Sequence, residues 1–273
     1  MTWTSCKTKM KSEHIFNNVD DSNKIKLLDG TVLYDTAIIP DFCDNMGIDH
    51  TTLWNNLMKV PDHDPNSDIE FDPEHPTWIT GEHPSLHYRG HALLRKKLWL
   101  QKEVDDMLKY GYTGWQHRIS KALHKTSSIP GLDEILNKIN ELLHYKHNHW
   151  IATCYEDKDD NISLHSDKVQ NWVPDSCFII IKVGAPRRFQ VAQPVQMEAK
   201  GRKPMMKDVV IFDKVIQPGT AIIVGMDANT KIKHGVPRTE NVDGPSGSIV
   251  GRAILTKVPW EQVDRNIQRA NYR

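Results

Sequence analysis

The chain has 273 residues, of which 38% are hydrophobic and 26% charged, a balance that fits a folded globular protein and argues against a disordered one. Its 35 basic and 35 acidic residues cancel, so a protein that grips nucleic acid by overall positive charge is disfavoured. The opening MTWTSCKTKMKS is polar and no apolar run nears the roughly 18 residues of a membrane span, while Cys6, Cys43, Cys154 and Cys177 form no CxxC pair for a disulfide framework or thiolate zinc site. A cytoplasmic protein (nuclear if its source is eukaryotic) is expected, monomeric, not secreted and not bound to a membrane.

In chain order, KIKLLDGTVLYDTAIIP reads as two short strands around an Asp-Gly turn, and TTLWNNLMKV as a short helix. Residues 60–90, rich in Pro, His and Asp, read as loop. LRKKLWLQKEVDDMLKY looks helical toward its end. GLDEILNKINELLHYKH is the clearest helix: Leu132, Ile135, Leu136, Ile139, Leu142 and Leu143 recur every three or four residues and build an apolar stripe suited to lie across a sheet. Asp133 and Glu134 sit in its first turn, where the helix dipole favours negative charge.

Beyond that helix the period turns strand-like. HWIATCY, NISLHSD, SCFIIIKVG, RRFQVAQ, DVVIFDKVI, GTAIIVGM and SIVGRAILTKV are short, β-branched runs divided by Pro and Gly, as in a double-sheet jelly roll or barrel. WEQVDRNIQRANYR reads as a terminal helix. The fold class expected is α+β, mainly β: a jelly-roll core over 126–273 with supporting helices, and an N-terminal α/β lid over 1–125 that recognises substrate, the two forming one compact unit.

Within the strand-rich half, His165 and Asp167 form a His-x-Asp pair, and His234 opens an HGVP stretch. Alternate residues of a strand project to one face, so His165 and Asp167 can point together into a barrel while His234 arrives from a distant strand. Two imidazoles and one carboxylate on one side of a metal leave its other positions open, the ligand set of non-haem Fe(II) oxygenases. A lone His-x-Asp is weak, since about two such triplets arise by chance in a chain with this many His and carboxylates.

The surrounding residues strengthen it. SLHSDK, the run IIIKVGAPRRFQ, and GTAIIVGMDANTKIKHGVPR, followed by Arg252 at 18 positions past His234, resemble in order and spacing the motifs of the AlkB-like family of Fe(II)/2-oxoglutarate dioxygenases. The likeness spans roughly 130–258. It implies Fe(II) held by His165, Asp167 and His234, with 2-oxoglutarate and O₂ as co-substrates. It also implies a distal carboxylate of 2-oxoglutarate paired with Arg252, a planar cation suited to bidentate carboxylate binding, and assisted by Tyr155. Succinate, CO₂ and a hydroxylated substrate follow; on an N-methyl group the product collapses to formaldehyde and the demethylated amine.

The chain also departs from the family pattern. Thr153 stands where an Asn is usual beside the 2-oxoglutarate-contacting Tyr, Val258 replaces a second Arg, and Val169 replaces an Asp associated with reading a damaged base. The leading expectation is demethylation or dealkylation of bases in DNA or RNA, as in repair, with Trp172, Tyr112 and Trp115 as stacking surfaces. Arg187, Arg188, Lys200, Arg202 and Lys203 are candidates for phosphate contacts; short basic runs such as these and Arg95, Lys96 and Lys97 ordinarily form solvated faces. Two alternatives stay open: an oxygenase acting on a protein side chain or small molecule, and a non-catalytic nucleic-acid-binding relic.

Overall fold

The computed structural model describes residues 15–64, 74–82, 86–88, 91–102, 108–110, 123–143, 147–169, 172–197, 205–240, 243–254 and 257–259. Its strands, in chain order, are β1 (Thr36–Ile39), β2 (His87–Tyr88), β3 (His91–Ala92), β4 (Lys96–Gln101), β5 (Leu108–Tyr110), β6 (Leu123–Lys125), β7 (His149–Tyr155), β8 (Ile162–His165), β9 (Cys177–Gly184), β10 (Arg187–Met197), β11 (Met205–Ile216), β12 (Ala221–Gly225), β13 (Lys233–Val236), β14 (Ser246–Arg252) and β15 (Lys257–Pro259). The helices are α1 (Phe42–Asn45), α2 (His50–Leu57), α3 (Leu132–Leu143) and α4 (Met226–Lys231).

Two large sheets carry the fold. One runs β1-β12-β9-β14-β7-β4-β6 and the other β11-β10-β13-β8. From β7 to β14 every connection crosses between the sheets except the β10–β11 hairpin. This mainly β, antiparallel arrangement is consistent with a jelly roll.

The larger sheet is covered on both sides, which explains why CFIIIKVG in β9 is apolar almost without alternation and buried until its last residue. On the outer face Ile179, Ile181, Val183, Ala152 and Ile249 pack with Leu132, Leu136, Ile139 and Leu143 of α3. The apolar stripe foreseen for that helix is therefore spent on the sheet; Leu142, at its margin, stays exposed. On the inner face Phe178, Ile180, Ile222 and Val224 join Phe189 and Val191 of the smaller sheet.

Three expectations for the first half change. LRKKLWLQ is strand rather than the approach to a helix: Leu98 and Leu100 point into the outer core, and β4 pairs with β7 along its whole length. The LKY at 108–110, expected to be helical, is strand β5, paired with β15. Around Asp29-Gly30 the turn forms, with Gly30 at φ 88°, but its arms meet only at the single bridge between Lys26 and Val32. TAII instead pairs with β12, whose AIIVG offers a longer apolar partner. Since β1, β4 and β6 all extend the larger sheet, the first 125 residues contribute to the core itself. The terminal helix expected from WEQVDRNIQRANYR lies outside the described residues.

Candidate metal centre

β8 and β13 are neighbours in the smaller sheet, with His165 directly opposite His234. Their rings lie 4.5 Å apart between centroids, tilted by 48°. Gly235 allows the close approach, because a Cβ there would sit 2.7 Å from the carbonyl oxygen of Ile162 on β8. The glycine of HGVP thus has a packing reason that belongs to the site.

His165, Asp167 and His234 each offer a ligand atom, and the three atoms lie within 4.8 Å of one another. The expected triad is brought together. His165 Nδ1 lies 2.8 Å from the carbonyl oxygen of Ser163. A carbonyl only accepts, so Nδ1 carries the proton and Nε2 presents a lone pair. That Nε2 is 3.5 Å from Oδ1 of Asp167. His234 is buried against Phe178 and Phe189. Burial, aided by the neighbouring His165, pushes its imidazole down to about 3, so it stands neutral and ready to ligate.

Asp167 is fixed from two directions. Asn229 in α4 accepts from its backbone N–H through Oδ1 at 2.9 Å and donates to its carbonyl through Nδ2 at 2.9 Å. Arg252, at the end of β14, donates to Oδ2 through Nε at 3.0 Å and Nη2 at 2.7 Å. Burial alone would raise the Asp167 carboxyl, but Arg252 and the two imidazoles outweigh it and hold it well below the usual carboxylate range. With Oδ2 taken by the guanidinium, Oδ1 is the oxygen turned toward the imidazoles. The donor set and its ionisation suit a divalent ion of the Fe(II) type, with the opposite side left to other ligands.

The triad opens into a cavity of about 510 Å³ between the sheets. Arg252, Tyr155 and Thr153 all line it. Arg252 pairs with the metal-side carboxylate of Asp167, Nη2 lying 2.7 Å from Oδ2. Tyr155 and Thr153 are buried, with the Arg187 guanidinium 5.3 Å above the Tyr155 ring, and burial lifts the phenol to about 12, keeping it protonated.

The proposed substrate contacts fare differently. Trp172 is 3% exposed, meets Phe178 edge-on and Arg252 across its ring, and is not part of the cavity wall. It is core rather than a stacking platform. Arg188 reaches the cavity but is exposed and held bidentate by Asp213 at 2.6 and 2.5 Å. Arg187, expected at the surface, is only 4% exposed. Tyr112, Trp115, Lys200, Arg202 and Lys203 lie outside the described residues. Val258 is placed in β15, opposite Lys109.

Sequence reasoning missed Asn229, whose role depends on α4 returning to β8, and missed that Arg95 and Lys97, part of a basic run read as solvated, line the cavity with Lys182. Lys96 of that run pairs with the exposed Asp62 and Glu156 at 2.7 Å each.

No family model matches the chain, and no curated protein matches it. Among solved structures it is similar to that of OsALKBH1, at 15% identity and a TM-score of 0.45 over 80% of this chain and 97% of that one. It is also similar to a 2OG-Fe(II) oxygenase family oxidoreductase from Burkholderia pseudomallei, at 14% identity and a TM-score of 0.41 over 82% of this chain and 87% of that one. The reading of the centre therefore rests on its own geometry.

Proposed function

We propose that the chain is an Fe(II)-dependent oxygenase that uses 2-oxoglutarate and O₂. The observation that carries this reading is the convergence of two imidazole nitrogens and one carboxylate oxygen within 4.8 Å at the wall of a cavity that also holds buried cations. His165, Asp167 and His234 would hold the metal, which when bound supplies the redox chemistry and a Lewis-acid centre for a 2-oxo acid. The protein's own part is positioning. Ser163 sets the His165 tautomer, Asn229 and Arg252 orient Asp167, and Phe178 and Phe189 keep the His234 side of the centre apolar and dry.

The substrate class proposed first is a methylated or alkylated base in DNA or RNA, on the strength of the motif resemblance in the sequence. A second reading, hydroxylation or demethylation of a protein side chain or small molecule, is favoured by two observations: Trp172 is buried in the core, and Asp213 neutralises Arg188 at the cavity. Both remove features expected of a nucleic-acid surface.

The test is Fe(II)-dependent formation of succinate from 2-oxoglutarate, followed by formaldehyde release on methylated oligonucleotides and on methylated peptides in parallel. His165→Ala should abolish both. Turnover at the wild-type level in that variant would remove His165 from the metal. Formaldehyde from peptides and none from oligonucleotides would reverse the order of the two substrate readings.

A further inference from the structure

The helix that carries Asn229 is itself held from a distant part of the chain. α4 follows β12 with no side-chain cap of its own, since Gly225 stands at its N-cap position. Asp227 in its first turn pairs instead with Lys231 at 2.7 Å, on the surface. The acceptor comes from Asp35, one residue ahead of β1. Asp35 is 5% exposed, and its Oδ2 accepts from the Ala228 N–H at 2.9 Å. Its backbone carbonyl accepts from the Gly225 N–H at 2.7 Å, extending the β1–β12 pairing by one step.

Gly225 has its place because of that carboxylate. Its φ of −78° suits any residue, but a Cβ there would lie 2.3 Å from Asp35 Oδ2. The arrangement is costly, because Asp35 Oδ1 is buried with no partner among the described residues. Burial pushes the carboxyl above its ordinary value, against the pull of the Ala228 N–H. A carboxylate held this tightly, against a glycine that leaves room for it, is a fixed anchor.

What it anchors is the segment that ends in Asp167. Ala228 is followed by Asn229, whose side chain accepts from the Asp167 N–H and donates to the Asp167 carbonyl at 2.9 Å each. Just past α4 the Ile232 carbonyl accepts from Ser166 Oγ at 2.7 Å. These three hydrogen bonds seat residues 166–167 on the α4 segment, and Ala228, Asn229 and Ile232 are all buried.

We propose that Asp35 is a positioning residue for Asp167, acting through α4 and Asn229, so that the edge of the larger sheet sets the carboxylate carried beside the smaller one. Its effect on metal binding rests on the reading of His165, Asp167 and His234 as a metal centre; the link itself belongs to the metal-free chain. Without an acceptor for the Ala228 N–H the first turn of α4 loosens. Asn229 then fixes the Asp167 backbone less firmly, and Oδ1 spends less time beside the imidazoles.

Two readouts on the full chain test this. The first is native-state amide hydrogen exchange with a chelator present. In the wild type the Ala228 and Asp167 N–H groups should open together, with the same urea dependence. Asp167 protected at least about tenfold better than Ala228 would overturn the proposal, and that measurement needs no variant to fold. In Asp35→Ala the Asp167 N–H should lose at least about threefold more protection than the amides of β9 do. Equal losses at both places would reduce Asp35 to a general stabiliser.

The second readout is Co(II) titration. Asp35→Ala should weaken Co(II) binding by about tenfold, the low end for outer groups. Asp35→Asn, whose amide oxygen can still accept from Ala228, should recover most of that loss. The double variant Asp35→Ala with Asn229→Ala should bind Co(II) no more weakly than Asn229→Ala alone, because both act along one route; additive losses would refute that route. Coupled exchange in a wild-type chain that binds no Co(II) would sink the metal reading and leave the link standing. Co(II) bound by the wild type, and by Asp35→Ala within a factor of about two of it, would overturn the proposal and leave the metal reading intact.

Discussion

Arg252 sends two N–H groups, Nε and Nη2, to one oxygen of Asp167, leaving that carboxylate a single outward-facing Oδ1 beside the imidazoles. The side chains are 11% and 7% exposed, so the pair is effectively buried. The guanidinium thereby acts as a permanent counter-charge in the metal's neighbourhood, and it fixes which oxygen the metal would meet.

Removing that counter-charge should therefore be felt first as stability. Arg252→Met leaves a buried carboxylate alone, a change of the kind that destabilises by about 3–5 kcal/mol. A divalent ion would replace the lost positive charge, so Co(II) or Zn(II) should raise the stability of Arg252→Met by more than it raises that of the wild type. Urea unfolding with and without metal measures both quantities. An equal metal increment in the two proteins would mean that Arg252 and the metal do not share Asp167.

Asn229 offers a cleaner probe of orientation, since it touches only the backbone of Asp167 and carries no charge. Outer-shell groups of this type change metal affinity by roughly 10–100-fold. Asn229→Ala should weaken Co(II) binding within that range while the His165 and His234 pairing persists. Isothermal titration of the variant with Co(II) reads it directly, and affinity within a factor of two of wild type would reduce Asn229 to a helix-packing residue.

The legibility of the molecule follows from which interactions are local. β7 to β14 could be read because their apolar runs and turn residues are contiguous, and His165 and Asp167 because a two-residue spacing on a strand puts them on one face. Leu98 and Leu100 obey the same two-residue rule, but the lysines before them and the acidic KEVDD after them mimic an amphipathic helix, and pairing with β7 decides the matter. Lys182 was hidden in an isoleucine-rich strand whose sequence gives no sign that one side chain faces a cavity. Arg252 was legible as a site residue but not as the partner of Asp167, because the row it occupies on β14 depends on the register with His149.

Trp172 illustrates the distinction between an aromatic that packs and one that binds. It is 3% exposed against Phe178, and its Nε1 has no hydrogen-bond partner among the described residues. Trp172→Ala should cost about 3–5 kcal/mol of stability through the cavity it leaves, whereas Trp172→Phe keeps the edge-on ring contact and loses a buried orphan donor, so it should fall within about 1.5 kcal/mol of wild type. Thermal unfolding separates the two. If the substrate KM rises in Trp172→Phe at unchanged stability, the indole is a binding surface after all.

A last consequence concerns pH and a histidine remote from the metal. His147 is 3% exposed, with Nε2 3.0 Å from the Cys177 carbonyl and Nδ1 3.1 Å from Asn140 Oδ1. Burial lowers its imidazole from 6.5 to about 4, against the opposing pull of the Cys177 carbonyl. A folded value below the unfolded one means that the unfolded chain binds the extra proton, so stability rises with pH through this window and is lost as pH falls. The contribution is complete above about 6.5, falls by up to about 1.4 kcal/mol per pH unit below that, and levels off near 4. His234 adds a parallel loss that continues to about 3 in the metal-free chain. Replacing His147 with Gln keeps a hydrogen-bonding side chain and removes the titration, so the slope of unfolding free energy between pH 6 and 4.5 should drop by close to one proton relative to wild type. Urea titrations at half-unit pH steps, with a chelator present, measure that slope. An unchanged slope would show that His147 binds its proton equally in the folded and unfolded states.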